Sequence, residues 1–432
     1  MRTANYSARR WLFWIILAAL VVRLVPMGFV YTDRLNPKLD HWAFGYEMGR
    51  IGRSLTAGQG YSSPFIVPTG PTAFQAPAYP YLVAAVFKLF GVFTPASAIV
   101  LLTLNCIFSS LNCLPVFFIA RRAFDSETAI WAGWAWAIFP FSVYTSVRWI
   151  WDTCLTTFLL SLLLLWAMRL EKVPRLSEWL GFGLLWGLTA LLNPATVLVL
   201  PFLLWWLRHG LRRRGIEPIS CVGIAVLMFA FTVAPWFIRN YRTFGAFIFF
   251  RDNFGLELQA GNNDDTRYPL TYSQIPGKNP AEMERVRRMG ELPYMAEKRR
   301  EAFEYIAYHP GAFAWRTLRR IICFWTGFWS FPLSGQDEED FRAISISSRT
   351  VLALLALLGL RRAIARRRES TTPLAIVLAS YPVLYYVTHP SVRYAHLLDP
   401  ILVLLATFAV RGTLRAKRND THTTPPVHAP SA

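Results

Sequence analysis

WLFWIILAALVVRLVPMGFV, residues 11–30, decides the fold class. The run holds about 20 residues, enough at 1.5 Å rise per residue to cross a hydrocarbon core about 30 Å thick. Pro26 to Tyr31 offers no small-residue cleavage site, so the segment is expected to stay as a signal anchor. Arg9-Arg10, just ahead of it, lacks the surroundings of a twin-arginine signal and reads as a cytoplasmic anchor. Similar runs recur. Of 432 residues, 54% are hydrophobic, 15% aromatic and only 16% charged, a balance that one soluble core cannot accommodate. The sequence therefore predicts an all-α polytopic membrane protein.

The formal net charge of +19 suggests a polyanion partner until the basic residues are located. They cluster at Arg9-Arg10, Arg121-Arg122, Arg208 to Arg214, Arg361 to Arg368 and Arg411 to Arg418, each against the end of an apolar run. Short cytoplasmic loops hold Lys and Arg in this way. No basic domain with interleaved aromatics is present, so nucleic acid is not an expected partner. Cys106, Cys113, Cys154, Cys221 and Cys323 lie in apolar segments without metal-ligand or redox spacing and read as small core residues.

With the basic clusters inside, spans follow at 11–30, 96–119, 128–147, 153–168, 178–192, 195–207, 219–237, around 351–360, 373–387 and 397–410. That is about ten crossings with both termini cytoplasmic. Residues 79–93 and 315–331 break the parity; the first reads as a helix lying at the outer interface, and the second, rich in Trp, Phe and Arg, as interfacial or re-entrant. Between Asp40 and Ala57, Phe44, Met48, Ile51 and Leu55 recur at helical spacing, predicting an amphipathic helix that Gly58 to Gly60 ends. Pro64, Pro68, Pro71 and Pro77 keep the following stretch extended. The chain divides into a cytoplasmic N-terminus at 1–10, a membrane domain at 11–411 and a disordered cytoplasmic tail at 412–432. Within the domain, 31–95 form the first outer loop and 238–347 a large outer region. No repeat of fixed period is visible.

Several motifs occur in a characteristic order. Asp40 opens the outer amphipathic helix, and Gly58-Gln59-Gly60-Tyr61 follows. Pro71-Thr72-Ala73-Phe74-Gln75-Ala76-Pro77-Ala78-Tyr79-Pro80 then leads to Phe87-Lys88-Leu89-Phe90-Gly91. Further on stand Phe139-Pro140 with Arg148 and Asp152, Pro235-Trp236-Phe237-Ile238-Arg239-Asn240-Tyr241, and Asn253-Phe254-Gly255 with Gly261-Asn262-Asn263. His309-Pro310 and Arg393-Tyr394 before Pro400 complete the order. This resembles the GT-C membrane glycosyltransferases, in the branch of protein O-mannosyltransferases, aminoarabinose transferases and rhizobial lipopolysaccharide galacturonosyltransferases. The resemblance covers nearly the whole chain except its tails. It implies a GT-C bundle with outer juxtamembrane helices, a polyprenyl-phosphate sugar donor, an acceptor glycosylated outside the membrane, and an inverting mechanism with an outer-loop carboxylate as base. Family members often carry two adjacent acidic residues where this chain has Asp40-His41. The departure weakens metal binding more than catalysis.

Transfer from a polyprenyl phosphate needs a base for the acceptor proton and positive charge for the departing phosphate. Asp40 is the candidate base, against the plainer reading of a helix cap. Asp152 is the second candidate carboxylate, against an i,i+4 ion pair with Arg148. Arg393, Arg239 and Arg251 are candidates for the donor phosphate because guanidinium forks suit it, against headgroup anchoring. Glu47, Tyr79, Asn262, Asn263 and Tyr394 are candidate substrate contacts, although Asn262 to Asp265 also read as a solvated turn. No His or Cys set has metal-ligand spacing, so no structural zinc is expected; a divalent cation is the one optional cofactor. A transporter or lipid-linked sugar flippase is the competing class, but neither paired halves nor interrupted helices are seen. The expected location is the bacterial inner membrane, with the active site on the outer face and a glycan, lipid or protein as acceptor.

Overall fold

The computed structural model describes residues 2–30, 44–171, 175–266, 271–327, 342–366 and 368–422. The first membrane-length run forms α1 (Arg2–Val30), followed by α2 (Glu47–Thr56), α3 (Ala78–Phe90), α4 (Pro95–Leu111) and α5 (Cys113–Ala123). Next come α6 (Ser126–Ile138), α7 (Pro140–Arg148), α8 (Thr153–Leu170), α9 (Leu176–Leu192), α10 (Leu200–Arg212) and α11 (Pro218–Phe244). A polar module carries α12 (Phe254–Gly261), α13 (Pro280–Met289), α14 (Glu291–Tyr308) and α15 (Pro310–Thr326). The chain ends in α16 (Arg342–Ala365), α17 (Thr372–Ser380), α18 (Val383–Val387), α19 (Val392–His396) and α20 (Asp399–His422). Among the described residues the only extended pairing is an isolated bridge between Ser62 and Pro71.

Among the described residues, six segments are long and apolar enough to cross a membrane: Arg10–Met27, Pro95–Ala123, Thr153–Leu170, Pro194–Arg212, Ile219–Phe244 and Glu369–Val387. The expected crossing at 128–147 is divided instead. Pro140 has no N–H to continue the ladder and opens α7 at its first position, leaving carbonyls of α6 without helical partners. Arg23 of α1, wholly buried, takes them up. Its Nη1 donates to Ala137 O and Ala19 O (both 2.9 Å), its Nη2 to Trp136 O (3.3 Å) and Ser142 Oγ (2.7 Å), and its Nε to Ser109 Oγ (2.9 Å). A guanidinium within a membrane span is tolerated when it is saturated in this way.

Small residues let the helices approach. Gly183 and Gly187 of α9 lie against the Ala225 carbonyl and Thr232 of α11, where any added Cβ would collide, and Gly359 of α16 lies likewise on the Leu405 carbonyl of α20. The residues expected to form the disordered tail begin differently: α20 continues to His422, and 423–432 lie outside the described residues.

The basic clusters collect at one end of the bundle. Arg411 pairs with Asp125 (2.9 Å), Arg368 donates to the Ala123 and Phe124 carbonyls (3.1 Å each), Arg213 meets Glu369 (3.6 Å) and Arg214 meets Glu171 (3.8 Å). From Glu171, α8 runs 18 residues, about 27 Å at 1.5 Å per residue, to Asp152. That separation puts Asp152 a hydrocarbon thickness away, at the end capped by α2, α3 and α12 to α14.

Candidate active site

The short helix α2 fits the predicted amphipathic one and packs on α3, burying Met48 and Ile51. The loop between them carries the Pro71 to Gln75 motif, and four groups grip it. Arg239 Nη1 donates to Thr72 O (2.7 Å), Glu291 accepts from Thr72 Oγ1 (2.5 Å) and Ala73 N (2.6 Å), Asp252 N donates to Ala73 O (3.2 Å), and Arg251 Nε donates to Phe74 O (3.0 Å). The loop is thereby tied to α11 and the polar module. Beneath it lies a cavity of about 630 Å³, lined from α2, the Trp149 to Asp152 turn, the 249–260 segment, α16 and the 384–395 segment.

Five sequence candidates meet on its wall: Glu47, Asp152, Arg251, Arg393 and Tyr394. Asp152 does not share a helix with Arg148, because α7 ends there and Trp149 is extended. Its Oδ2 accepts from Thr156 Oγ1 (3.1 Å) and Asn193 Nδ2 (3.3 Å). Burial pushes the Asp152 carboxyl up to about 6, with Thr156, Arg251, Asn193 and Arg393 pulling the other way. Arg393 lies over the rings of Trp151 (4.3 Å) and Trp149 (5.7 Å), which stiffen its guanidinium by cation–π contact. Glu47 is also raised by burial and by Glu257, against Arg50 and Arg251.

The other candidates stand elsewhere. Arg239 donates to the Thr72, Tyr61 and Asn240 oxygens and stacks on Tyr61 and Trp236. Tyr79 is buried in the α2–α3 core. Asn262 donates to Leu258 O (2.7 Å) and Val387 O (3.0 Å), and Asn263 to Gln259 O (2.7 Å). Both asparagines are buried, in place of the solvated turn that their residue type suggests. Asp40 lies outside the described residues.

Sequence reading missed a carboxylate and its partner. Glu257 accepts from Asn253 Nδ2 (2.8 Å), approaches Arg251 at 3.9 Å and meets His389 Nε2 at 2.7 Å. Burial opposes its charge, but His389, Arg251 and Arg393 prevail and hold its carboxyl below the usual range. The available signal was one acidic residue inside the apolar run Phe254-Gly255-Leu256-Glu257-Leu258, between two quoted motifs. Arg349, also missed, lines the cavity while bonded to the buried Asp399 (3.1 Å), which in turn meets His396 Nδ1 (2.8 Å). Among the described residues no group of three or more His, Cys, Asp or Glu side chains is placed to hold a metal ion.

This architecture is the GT-C fold of polytopic membrane glycosyltransferases. Residues 74–238 match the family model of the dolichyl-phosphate-mannose-protein mannosyltransferases. Among solved structures, the oligosaccharyltransferase AglB of Archaeoglobus fulgidus, in complex with an inhibitory peptide and a dolichol-phosphate, superposes with a TM-score of 0.57 at 16% identity, over 99% of this chain and 53% of that one. The apo form of the oligosaccharyltransferase of the same organism gives 0.55 at 16% identity, over 98% and 53%. ArnT of Cupriavidus metallidurans bound to undecaprenyl phosphate gives 0.40 at 15% identity, over 96% and 81%. The chain spans about half the length of the oligosaccharyltransferases it matches. No curated protein sequence matches it.

Proposed function

We propose that this chain is an inverting glycosyltransferase that moves a sugar from a polyprenyl-phosphate donor to an acceptor hydroxyl on the outer side of the membrane. The observation that carries the reading is the cavity itself: Arg251 and Arg393 flank the buried Asp152, a membrane thickness from the basic end of the bundle. Positive-inside bias assigns the basic end to the cytoplasm, so the cavity opens at the outer face of what we take to be the bacterial inner membrane. The AglB complex holds an inhibitory peptide and a dolichol-phosphate, and its lipid phosphate supports this use of the fold.

In this reading the acceptor oxygen attacks the anomeric carbon as its proton passes to a carboxylate. The bond from that carbon to the phosphate oxygen breaks, and polyprenyl phosphate departs. Arg393 and Arg251 hold the phosphate and stabilise the charge that grows on it. Asp40, at the start of the first outer loop, is the base, and Asp152 orients the acceptor with Glu47 beside it. Tyr394, stacked on Tyr385 at 4.4 Å, supplies an aromatic wall. Arg239, Asn262 and Asn263 act through the loops they hold. The acceptor is a glycan, lipid or protein hydroxyl.

The test is transfer by the purified full-length chain from polyprenyl-phosphate hexoses labelled in the sugar. Asp40→Asn keeps the cap but cannot take the proton, so transfer falls by about 10²–10⁴-fold in a protein of unchanged stability. Near-normal transfer per folded molecule would move the base to Asp152 or Glu47.

A further inference from the structure

We infer that His389 and Gln75 form a hydroxyl-reading subsite in this cavity, one that takes the ring hydroxyls of a pyranose. The inference rests on the glycosyl-transfer reading and adds to it the groups that would recognise the sugar. Glu257, held ionised by His389 and Arg251, only accepts hydrogen bonds, so the His389 nitrogen 2.7 Å from it, Nε2, carries the proton. The other polar atom of the ring is Nδ1. It is buried and has no partner among the described residues, and neither has Gln75 Oε1. His389 is 6% exposed and Gln75 3% exposed, and both line the cavity.

Two buried polar atoms without partners, one of them an amide oxygen that only accepts, select a ligand group that can donate. Phosphate oxygens accept only, and acyl chains do neither, so of the parts of a sugar–phospholipid only the hydroxyls satisfy both atoms. The position of this pair is fixed from behind. Arg320 donates to the carbonyls of Gly261 and Val387, and Asn262 also donates to Val387 O (3.0 Å). The Gly261 backbone lies against the Thr388 carbonyl so closely that a side chain there would collide. Gln75 sits on the loop that Arg239, Glu291 and Arg251 grip. Both atoms thus stand on braced segments, as a selective site requires.

The experiment measures binding by the fluorescence of the full-length chain, whose Trp149 and Trp151 line the cavity. The probes are polyprenyl-phosphate mannose, glucose and galactose, with methyl polyprenyl phosphate as a diester of equal charge that lacks hydroxyls. Wild type should prefer at least one hexosyl lipid over the methyl diester. His389→Gln keeps an N–H toward Glu257 and removes Nδ1. It should cut that preference about tenfold, the worth of one buried hydrogen bond, with affinity for the methyl diester within about twofold of wild type. Gln75→Met, compared in the same way, decides the question if His389→Gln does not fold. An unchanged preference in the folded variants, or a wild type that prefers no hexosyl lipid, overturns the subsite. A wild type that shows the preference and its loss, yet transfers no sugar, overturns the glycosyl-transfer reading and leaves the subsite standing.

Discussion

Replacing Arg320 by methionine removes a guanidinium that is 1% exposed and joins three segments. It donates to Gly261 O, Asn262 Oδ1 (3.0 Å), Val387 O (3.0 Å) and Tyr386 O (3.5 Å), so it ties α15 to the end of α12 and to the segment before His389. Hydrogen bonds from a charged donor are worth about 1.5–3 kcal/mol each. They do not add, because Asn262 keeps its own bond to Val387 and the segments relax together. Leaving buried acceptors unpaired around a lost charge costs about 3–5 kcal/mol. Unfolding followed by intrinsic fluorescence in detergent should show a transition lowered by about 5–15 °C. Arg320→Lys keeps the charge but reaches fewer carbonyls and should fall between. Because the clamp sets Glu257 against His389, the methionine variant should also lose sugar preference at temperatures where it remains folded. A transition within about 1 °C of wild type, with sugar preference intact, would refute the reasoning from Arg320 to the dyad.

Three further outcomes follow from the same geometry. Burial pushes the Asp152 carboxyl up to about 6, so if its carboxylate is the working form, transfer should decline as pH drops below that value, and Asp152→Asn should abolish the dependence along with most activity. Asp252 is pushed well up by burial and by the neighbouring Glu291, so the folded state holds a proton that the unfolded chain releases, and stability is lost as pH rises. Asp252→Asn should therefore melt above wild type near pH 8, with the gap closing toward pH 5, at about 1.4 kcal/mol per unit of upward shift removed; an advantage that grew on acidification would reverse the assignment. Arg393→Lys keeps a charge but loses the planar fork over Trp151 and should weaken donor binding by about 1.5–3 kcal/mol. Unchanged affinity and turnover would remove Arg393 from the phosphate site.

Elements whose causes are local were legible in the sequence. The apolar length of residues 11–30, the helical recurrence of Met48, Ile51 and Leu55, and the basic residues at the ends of apolar runs all reappear as elements or as one end of the bundle. The break between α6 and α7 was written in Pro140 but was read as part of a continuous span, because the arginine that satisfies the freed carbonyls lies more than 100 residues away. The site divides in the same manner. Arg251 and Arg239 look alike as arginines beyond the end of a span, yet Arg239 is consumed by the Thr72 and Tyr61 carbonyls while Arg251 reaches the cavity wall. Asn262 and Asn263 read as a turn from their type, and only contact with Val387 and Arg320 gives Asn262 its clamping place. Glu257 was passed over because its partner His389 is 132 residues away, and neither residue carries a spacing signal.

The measurement that tests the central claim most directly is a structure of the full-length chain with a polyprenyl-phosphate hexose bound. The account predicts the phosphate between Arg251 and Arg393, the sugar against His389 and Gln75, and the lipid chain leaving the cavity toward the membrane. A phosphate held at Arg239 or at the basic end of the bundle, with the cavity beside Asp152 empty, would contradict it.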